Sequence, residues 1–476
     1  MDIMGKESVH EQGNFEFDRE LIVRYDGKGP RYTSYPTADR FKQSVNSEQL
    51  REILQQRLPG ALLTPLSLYF HIPFCNTVCY YCGCNKIITK DKSKADIYLD
   101  YLSKEIEMNA AALRSNPNLS CPKVSQLHLG GGTPTFMSEA QLTRLMDLVR
   151  THFELLPTGE YSIEIDPRKV GEAMIQTLGQ LGFNRMSVGI QDFNPAVQQA
   201  VNRIQSEEET RAVIEAARRH GFKSVSVDLI YGLPKQTADT VAETISRVLT
   251  LRPDRIALYN YAHLPERFMP QRRINEGDLP SADAKLDILQ NSIKQLTDAG
   301  YVLIGMDHFA LPDDDLALAQ RRGRLQRNFQ GYSTHADCDL LAFGVSSIGK
   351  VGANYYQNVK TLEDYYARLD ADQLPVTQGL TMNHDDVIRR AVIQALMCQF
   401  SLYYQAVEVS YMIKFADYFA EELQLLQPLV TDGLLVIDED GLFVTPKGRL
   451  LIRSIAMIFD QYLRTKTTQA RYSRLI

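Results

Sequence analysis

Short apolar runs alternate with helix-patterned stretches along the middle of this 476-residue chain, and that alternation restricts the fold more than any other feature. Residues 66–70 read as a strand, and helical periodicity follows over 95–113. Further strands are expected at 124–129, 161–165, 185–189, 224–230 and 255–260. Between them lie a helix capped by Ser138 and running to Phe153, and helices over 172–181, 196–204, 210–220 and 237–250. Six successive β-then-α units imply a parallel sheet with right-handed crossovers. A closed barrel of this kind takes eight units. Six predict an α/β fold built as a partial (β/α) barrel.

The flanks follow other patterns. Gly29-Pro30-Arg31-Tyr32-Thr33-Ser34-Tyr35-Pro36-Thr37 is irregular and rich in turn formers and tyrosine, so residues 1–60 are expected to form an N-terminal arm. The barrel is assigned to 61–315 and a connecting segment to 316–380. Residues 381–476 read as a mostly helical domain, with strands at 434–437 and 442–444 about the turn Asp440-Gly441. Thr445-Pro446 then predicts a last helix with an N-cap and a proline at its first position, a winged-helix-like order. Lys and Arg number 52 against 58 Asp and Glu, a net charge of -6, which argues against a nucleic-acid-binding role for this domain. No apolar run approaches the roughly 18 residues of a membrane span, and the polar start lacks a signal pattern. A cytoplasmic protein with no membrane partner is expected, and without a heptad seam, a monomer.

The strongest chemical feature is Cys75-Asn-Thr-Val-Cys79-Tyr-Tyr-Cys82-Gly-Cys84, directly after the first strand. Three thiolates at i, i+4 and i+7 can hold three irons of a cubane cluster and leave the fourth without a protein ligand. Structural zinc more often uses two Cys pairs set apart by a longer segment, and a redox pair needs only two thiols. Cys121, Cys338 and Cys398 stand alone and read as packing residues. The other polar motifs share one address. Gly130-Gly131-Gly132-Thr133-Pro134, Glu164-Ile165-Asp166, Gln191-Asp192, 228–232 and Tyr261-Ala262-His263 all close strands at their C-terminal ends, where barrel enzymes place their chemistry. Glycines admit close backbone approach to a ligand, carboxylates such as Glu164 and Asp228 can accept from hydroxyls or an ammonium, and Arg203 offers a forked donor. His71 and His308 are as readily satisfied core or turn residues as catalytic ones.

The cysteine spacing, with an aromatic before the third cysteine, resembles the radical S-adenosylmethionine superfamily. Tyr69-Phe-His71-Ile-Pro73-Phe-Cys75, Cys82-Gly-Cys84-Asn-Lys86, Gly189-Ile-Gln191-Asp192-Phe193, Gly305-Met-Asp307-His308-Phe309, Arg327-Asn328-Phe329-Gln330-Gly331-Tyr332 and the arm together resemble, from about residue 20 onward, the bacterial oxygen-independent coproporphyrinogen III oxidase family. That resemblance implies one 4Fe-4S cluster on Cys75, Cys79 and Cys82, and two S-adenosylmethionine molecules. The open iron would chelate the first, whose reductive cleavage gives a 5′-deoxyadenosyl radical. Tyr69, Gly131 and Glu164 would contact the chelated molecule. Tyr81, Gly132, Thr133, Gln191, Arg203, Asp228, Ala262 and Ile348 would contact the second. Cys84 would lie beside the second molecule and, with Tyr69 and Glu164, serve catalysis.

The implied reaction is oxidative decarboxylation of the ring A and B propionates of coproporphyrinogen III to the vinyl groups of protoporphyrinogen IX, in haem biosynthesis. A low-potential electron donor such as flavodoxin is the implied partner. Arg31, Lys28 and Arg40 are candidate cations for the substrate's four carboxylates, and equally ordinary surface charges. A haem chaperone of the same branch and a radical methyltransferase are the rival readings. The chaperones typically lack the Cys82-Gly-Cys84 pattern, the arm and the 327–332 segment; the arm also discriminates against the methyltransferase.

Overall fold

The computed structural model describes residues 16–57, 64–114, 121–335 and 338–464, so the start of the expected arm lies outside the described residues. The chain divides into two compact units: Asp39–Ser281 with Asp337–Met382, and Met1–Ala38 with Ala282–Ala336 and Asn383–Ile476.

The first unit is built on the expected alternation. Strands β1 (Leu66–Ile72), β2 (Lys123–Gly131), β3 (Glu154–Ile165), β4 (Arg185–Gln191), β5 (Ser224–Tyr231) and β6 (Arg255–Asn260) lie side by side in chain order, each pair parallel. Between them run α1 (Ser93–Arg114), α2 (Glu139–His152), α3 (Glu172–Gln180), α4 (Glu207–Arg219) and α5 (Ala238–Leu251). Alternate residues of a strand share one face, and on β1 Leu66, Leu68, Phe70 and Ile72 make one face apolar and fully buried, leaving Ser67, Tyr69 and His71 on the other. Ser138, Ser206 and Thr237 start α2, α4 and α5 by accepting the N3 amide, each in a reciprocal capping box. Such caps fix where each loop ends and its helix begins.

Among the strands that were not foreseen, four lie beyond β1 in the same sheet. β7 (Asp339–Phe343) pairs parallel with β1 on the side away from β2, and β8 (Ile348–Val351), β9 (Asn354–Asn358) and β10 (Val376–Thr381) extend the sheet antiparallel. They fall within the segment read as connecting. β7 is a five-residue buried run separated from β6 by a long excursion, so no local βα rhythm announces it. The expected helix at 196–204 is only Pro195–Ala200. Gln198 Nε2 donates to the carbonyls of Asp192 and Gln205, both at 2.9 Å, and Asn202 takes a left-handed φ of 55°. The chain therefore folds back, and Arg203 sits in a loop.

In the second unit, helix His384–Gln399 buries Ile388, Val392, Leu396 and Met397 among Phe415, Phe419 and Phe459. Ser401–Tyr403, Gly441–Val444 and Leu435–Ile437 form a small antiparallel sheet, giving the mostly helical, winged-helix-like domain that was expected. The helix predicted to open at Pro446 does not. Gly448 donates to the Thr445 side chain and carbonyl, closing a turn, and helix resumes only at Arg449–Leu451 and Ile452–Met457. The described arm is not a loose strap. It opens with helix Arg19–Tyr25, capped by Asp18, and buries Leu21, Tyr32 and Tyr35 in this unit's core. Tyr32 Oη donates to Asp460 at 3.0 Å, and Arg453 donates to the carbonyls of Gly29 and Pro30. Among the described residues, no helix is long and apolar enough to cross a membrane.

Candidate active site

The cysteine loop is pinned at several points. Phe74–Cys75 pairs with Ile87–Ile88, which closes the loop at its base. Tyr80 N donates to Val201 O at 2.9 Å, and Asn202 Nδ2 donates to Val78 O at 2.7 Å. Tyr80 and Tyr81 pack on Val197, Val201, Leu233, Tyr261 and Ile274. Gln271, itself buried, donates to Tyr81 O at 3.0 Å and to Ala262 O at 3.2 Å, tying the loop to the end of β6. Sequence reading missed Gln271, because a glutamine that binds carbonyls from a 3₁₀ turn follows no pattern.

The thiols stand in an environment suited to negative charge. Arg203 Nη1 and Arg168 Nη2 donate toward Cys79 Sγ at 3.7 and 3.8 Å, and Thr133 Oγ1 toward Cys75 Sγ at 3.4 Å. The Cys84 side chain donates to Cys82 and Lys86 lies close by, which together bring the Cys82 thiol down to about 6. Burial pushes the Cys75 thiol up to about 11. Among the described residues no three His, Cys, Asp or Glu side chains close on a single metal position. A cubane places each thiolate on a different iron, and three thiols on one loop, with two guanidinium groups against Cys79, suit such a cluster. Arg168 was not anticipated; it also chelates Asp166, with 2.6 Å from Nη2 to Oδ2.

The strand ends supply the rest of the constellation. Gly131, at φ +114°, donates its amide to Glu164 Oε2 at 3.1 Å, and a Cβ there would meet the His71 ring at 2.7 Å. Only glycine fits. Gly132 N and Thr133 N are bonded to Ile72 O and Phe74 O, which sets the glycine turn against the cysteine loop. Tyr69 Oη donates to His71 Nδ1 at 3.1 Å, and His71 Nε2 donates to Asn85 O at 2.9 Å. Burial lowers the His71 pKa, so a neutral ring with its proton on Nε2 orients Tyr69. Tyr69 also stacks on His128 at 5.9 Å between ring centres, and His128 Nε2 lies 3.4 Å from Glu164.

On the neighbouring strands, Arg203 donates to Gly189 O at 2.6 Å and lies 3.4 Å from Asp166. A Cβ on Gly189 would reach within 3.0 Å of both Gln191 and Arg203. Gln191 holds a φ of 68°, uncommon for a residue with a side chain and a mark of a constrained strand end. Burial raises Asp228 to about 7, with the negative Glu164 adding to it against the Ser187 hydroxyl, which donates at 3.0 Å. Asp192 instead is a structural residue, accepting from Gln236, Thr244 and the Asn194 amide. Ile348 opens β8 just past the C-terminal end of β7, at the same sheet edge. In the second unit, Arg31 is not an idle cation. It pairs with Asp307, which lies 2.7 Å from His308, and its carbonyl accepts from Arg327 Nε. Arg40 lies 3.5 Å from Asp39.

A partial parallel barrel that carries three thiolates and a ring of glycine, carboxylate and guanidinium groups at its C-terminal edge defines a cluster-bearing radical enzyme. The description "Radical SAM superfamily" matches residues 69–248, and "HemN C-terminal domain" matches residues 382–451. The oxygen-independent coproporphyrinogen III oxidase of Pseudomonas aeruginosa is 52% identical over 463 residues, covering 97% of this chain and 99% of that protein. That of Escherichia coli is 51% identical over 461 residues, with the same coverage of each. The solved structure of the Escherichia coli coproporphyrinogen III oxidase, described as a radical SAM enzyme, superposes with a TM-score of 0.89 at 50% identity, covering 94% of this chain and all of that one. The chain belongs to the oxygen-independent coproporphyrinogen III oxidase family of the radical SAM superfamily. Enzymes of that superfamily use a 4Fe-4S cluster and S-adenosylmethionine.

Proposed function

We propose that this chain converts the ring A and B propionates of coproporphyrinogen III to the vinyl groups of protoporphyrinogen IX, without oxygen, in haem biosynthesis. The observation that carries the reading is the extent of the likeness, 52% identity across 97% of the chain rather than across a shared core alone. When bound, the cluster and S-adenosylmethionine supply a 5′-deoxyadenosyl radical that can take a hydrogen atom from the propionate carbon next to the ring.

The chain's own groups bind and orient. Cys75, Cys79 and Cys82 hold three irons, with Arg168 and Arg203 offsetting the charge on Cys79. Tyr69, Gly131 and Glu164 hold the first S-adenosylmethionine. Tyr81, Gly132, Thr133, Gln191, Arg203, Asp228, Ala262 and Ile348 hold a second, with Cys84 beside it. Neutral His71 keeps the Tyr69 hydroxyl in place. Once the hydrogen atom is taken, each of the two propionates loses its carboxylate as carbon dioxide and one electron to an external acceptor, and its two remaining carbons become the vinyl group. The enzyme works as a cytoplasmic monomer supplied by a flavodoxin-like donor. An anaerobic assay with coproporphyrinogen III decides the reading: two vinyl groups per substrate are expected. A methylated or unreacted tetrapyrrole would overturn it.

A further inference from the structure

We propose that the outer face of the cysteine loop is a docking surface for an acidic one-electron carrier protein. The inference rests on the proposed reaction, which draws electrons from outside the chain. Its first support is connectivity. Cys75 stands opposite Ile88 in the two-strand pair, and Thr89 N donates to Cys75 O at 3.0 Å. Ile88 is 44% exposed, so a single surface residue backs one of the proposed iron-binding thiols.

Charge is the second support. Lys86, Lys90, Lys92 and Lys94 fall within nine residues beside Asp91 alone, on a chain whose net charge is -6. Lys92 turns inward to Phe136 O at 2.5 Å. Lys90 and Lys94 are exposed and, like Lys360, join no ion pair among the described residues. A groove of about 440 Å³ runs alongside, lined in part by Asn85, Ile87, Lys94, Ile97, Lys360 and Glu363. Asn85 Nδ2 donates to Lys360 O at 3.1 Å, which fixes the third lysine beside the cysteine loop. Acids on this face include Glu363 and Asp91, with Asp364 taken up by the Thr361 hydroxyl at 2.8 Å and Asp96 held by Gln141.

Exposed Ile88 and Ile97 with lysines around them have the make-up of a transient redox interface: small, partly apolar and rimmed by one sign of charge. A basic patch attracts an acidic carrier, and two copies of this chain cannot pair patch to patch without bringing like charges together. In the encounter the reduced carrier loses one electron and the enzyme gains it; no bond or proton crosses the interface.

The test uses anaerobic holoenzyme and a purified acidic flavodoxin. Wild-type affinity, measured by titration calorimetry, should fall as salt rises from about 50 to 300 mM, because the Debye length shortens over that range. K90E/K94E/K360E should weaken binding about tenfold or more, and slow flavodoxin-driven reduction, followed by the paramagnetic signal of the reduced cluster, by a similar factor. Reduction by dithionite, which needs no docking, should be unchanged. The milder K90Q/K94Q/K360Q set should fall between, and it decides the matter if the charge reversals do not fold. No flavodoxin binding to wild type, affinity indifferent to salt and to both variant sets, or equal loss with dithionite would each overturn the proposal. Intact docking without vinyl product would count against the proposed reaction alone.

Discussion

In the helical unit, Arg389 donates to Asp385, four residues earlier, at 2.8 Å and to Glu422 at 2.7 Å, and Glu422 also meets Arg464. At the edge of the sheet, Glu164 and Asp228 come from β3 and β5, and Arg203 from the loop after the short helix Pro195–Ala200. Asp228 has one hydroxyl donor, and the Glu164 side chain is 44% exposed. The first set is saturated by its neighbours, as buried charges in a structural role must be. In the second, Arg203 is likewise engaged, but Asp228 and Glu164 keep hydrogen-bonding capacity in reserve, at a cost in stability that a bound ligand would offset. Buried charge alone therefore does not mark a site. What marks it is charge assembled from distant segments and left incompletely satisfied.

Breaking the thiolate set should have the largest effect. Protein prepared without oxygen should hold about four irons per chain, and Ser at Cys75, Cys79 or Cys82 should bring iron close to zero. Iron retained in all three variants would show that other residues hold the cluster. Cys84 sharpens the same point. Cys84→Ser should keep full iron while sharply slowing vinyl formation; loss of iron would make Cys84 a ligand and unseat one of the other three.

The opposite arm of the comparison is a stability experiment. Arg389→Ala leaves buried Glu422 and half-buried Asp385 with fewer partners, and should destabilise the helical unit by about 3–5 kcal/mol in denaturant unfolding. It should leave iron content unchanged at low temperature. Iron lost in step with stability would contradict the separation between the two regions.

Much of this was legible in advance, for identifiable reasons. Six βα units repeat a local rhythm, so β1 to β6 could be placed from apolar runs and caps such as Ser138. β7 is held by β1, far away in sequence, and nothing local distinguishes Asp339–Phe343 from a buried loop; β8 to β10 each pair with the strand before them in the chain and were passed over. The cysteine spacing carries its chemistry in the open, whereas Gln271 and Arg168 act through carbonyls and carboxylates that only the fold brings near. Tyr32 and Tyr35 of the arm belong to a core that no local pattern announces, so deleting residues 1–45 would disturb the helical unit as well as any substrate contact. Arg31→Ala is the cleaner probe of the arm, because its pairing with Asp307 can be removed without emptying that core.

The smallest effect expected is a pH dependence that separates two carboxyls of the sheet unit, buried Glu105 and half-buried Asp228. Burial raises both Asp228 and Glu105 to about 7. Glu105 is met by Tyr365 Oη at 2.6 Å, Gly344 N at 2.7 Å and Asn358 Nδ2 at 2.7 Å, so its place is already filled by protein donors. Each group binds its proton more tightly in the folded than in the unfolded chain. Its contribution to stability is thus full below pH 4 and lost as pH rises through about 7. Asp228→Asn should remove its share of that decline and leave stability at pH 8 equal or improved, since no protein donor depends on the charge. Glu105→Gln should instead lower stability at every pH, because an amide nitrogen replaces one acceptor facing the Gly344 amide, the Tyr365 hydroxyl or the Asn358 amide. S-adenosylmethionine binding should distinguish the two again. Ionised Asp228 is the better acceptor for ribose hydroxyls, so affinity at its site should rise between pH 6 and 8 in the wild type and flatten in Asp228→Asn. An unaltered binding profile in that variant would remove Asp228 from the cofactor site and place it beside Glu105 as a structural group.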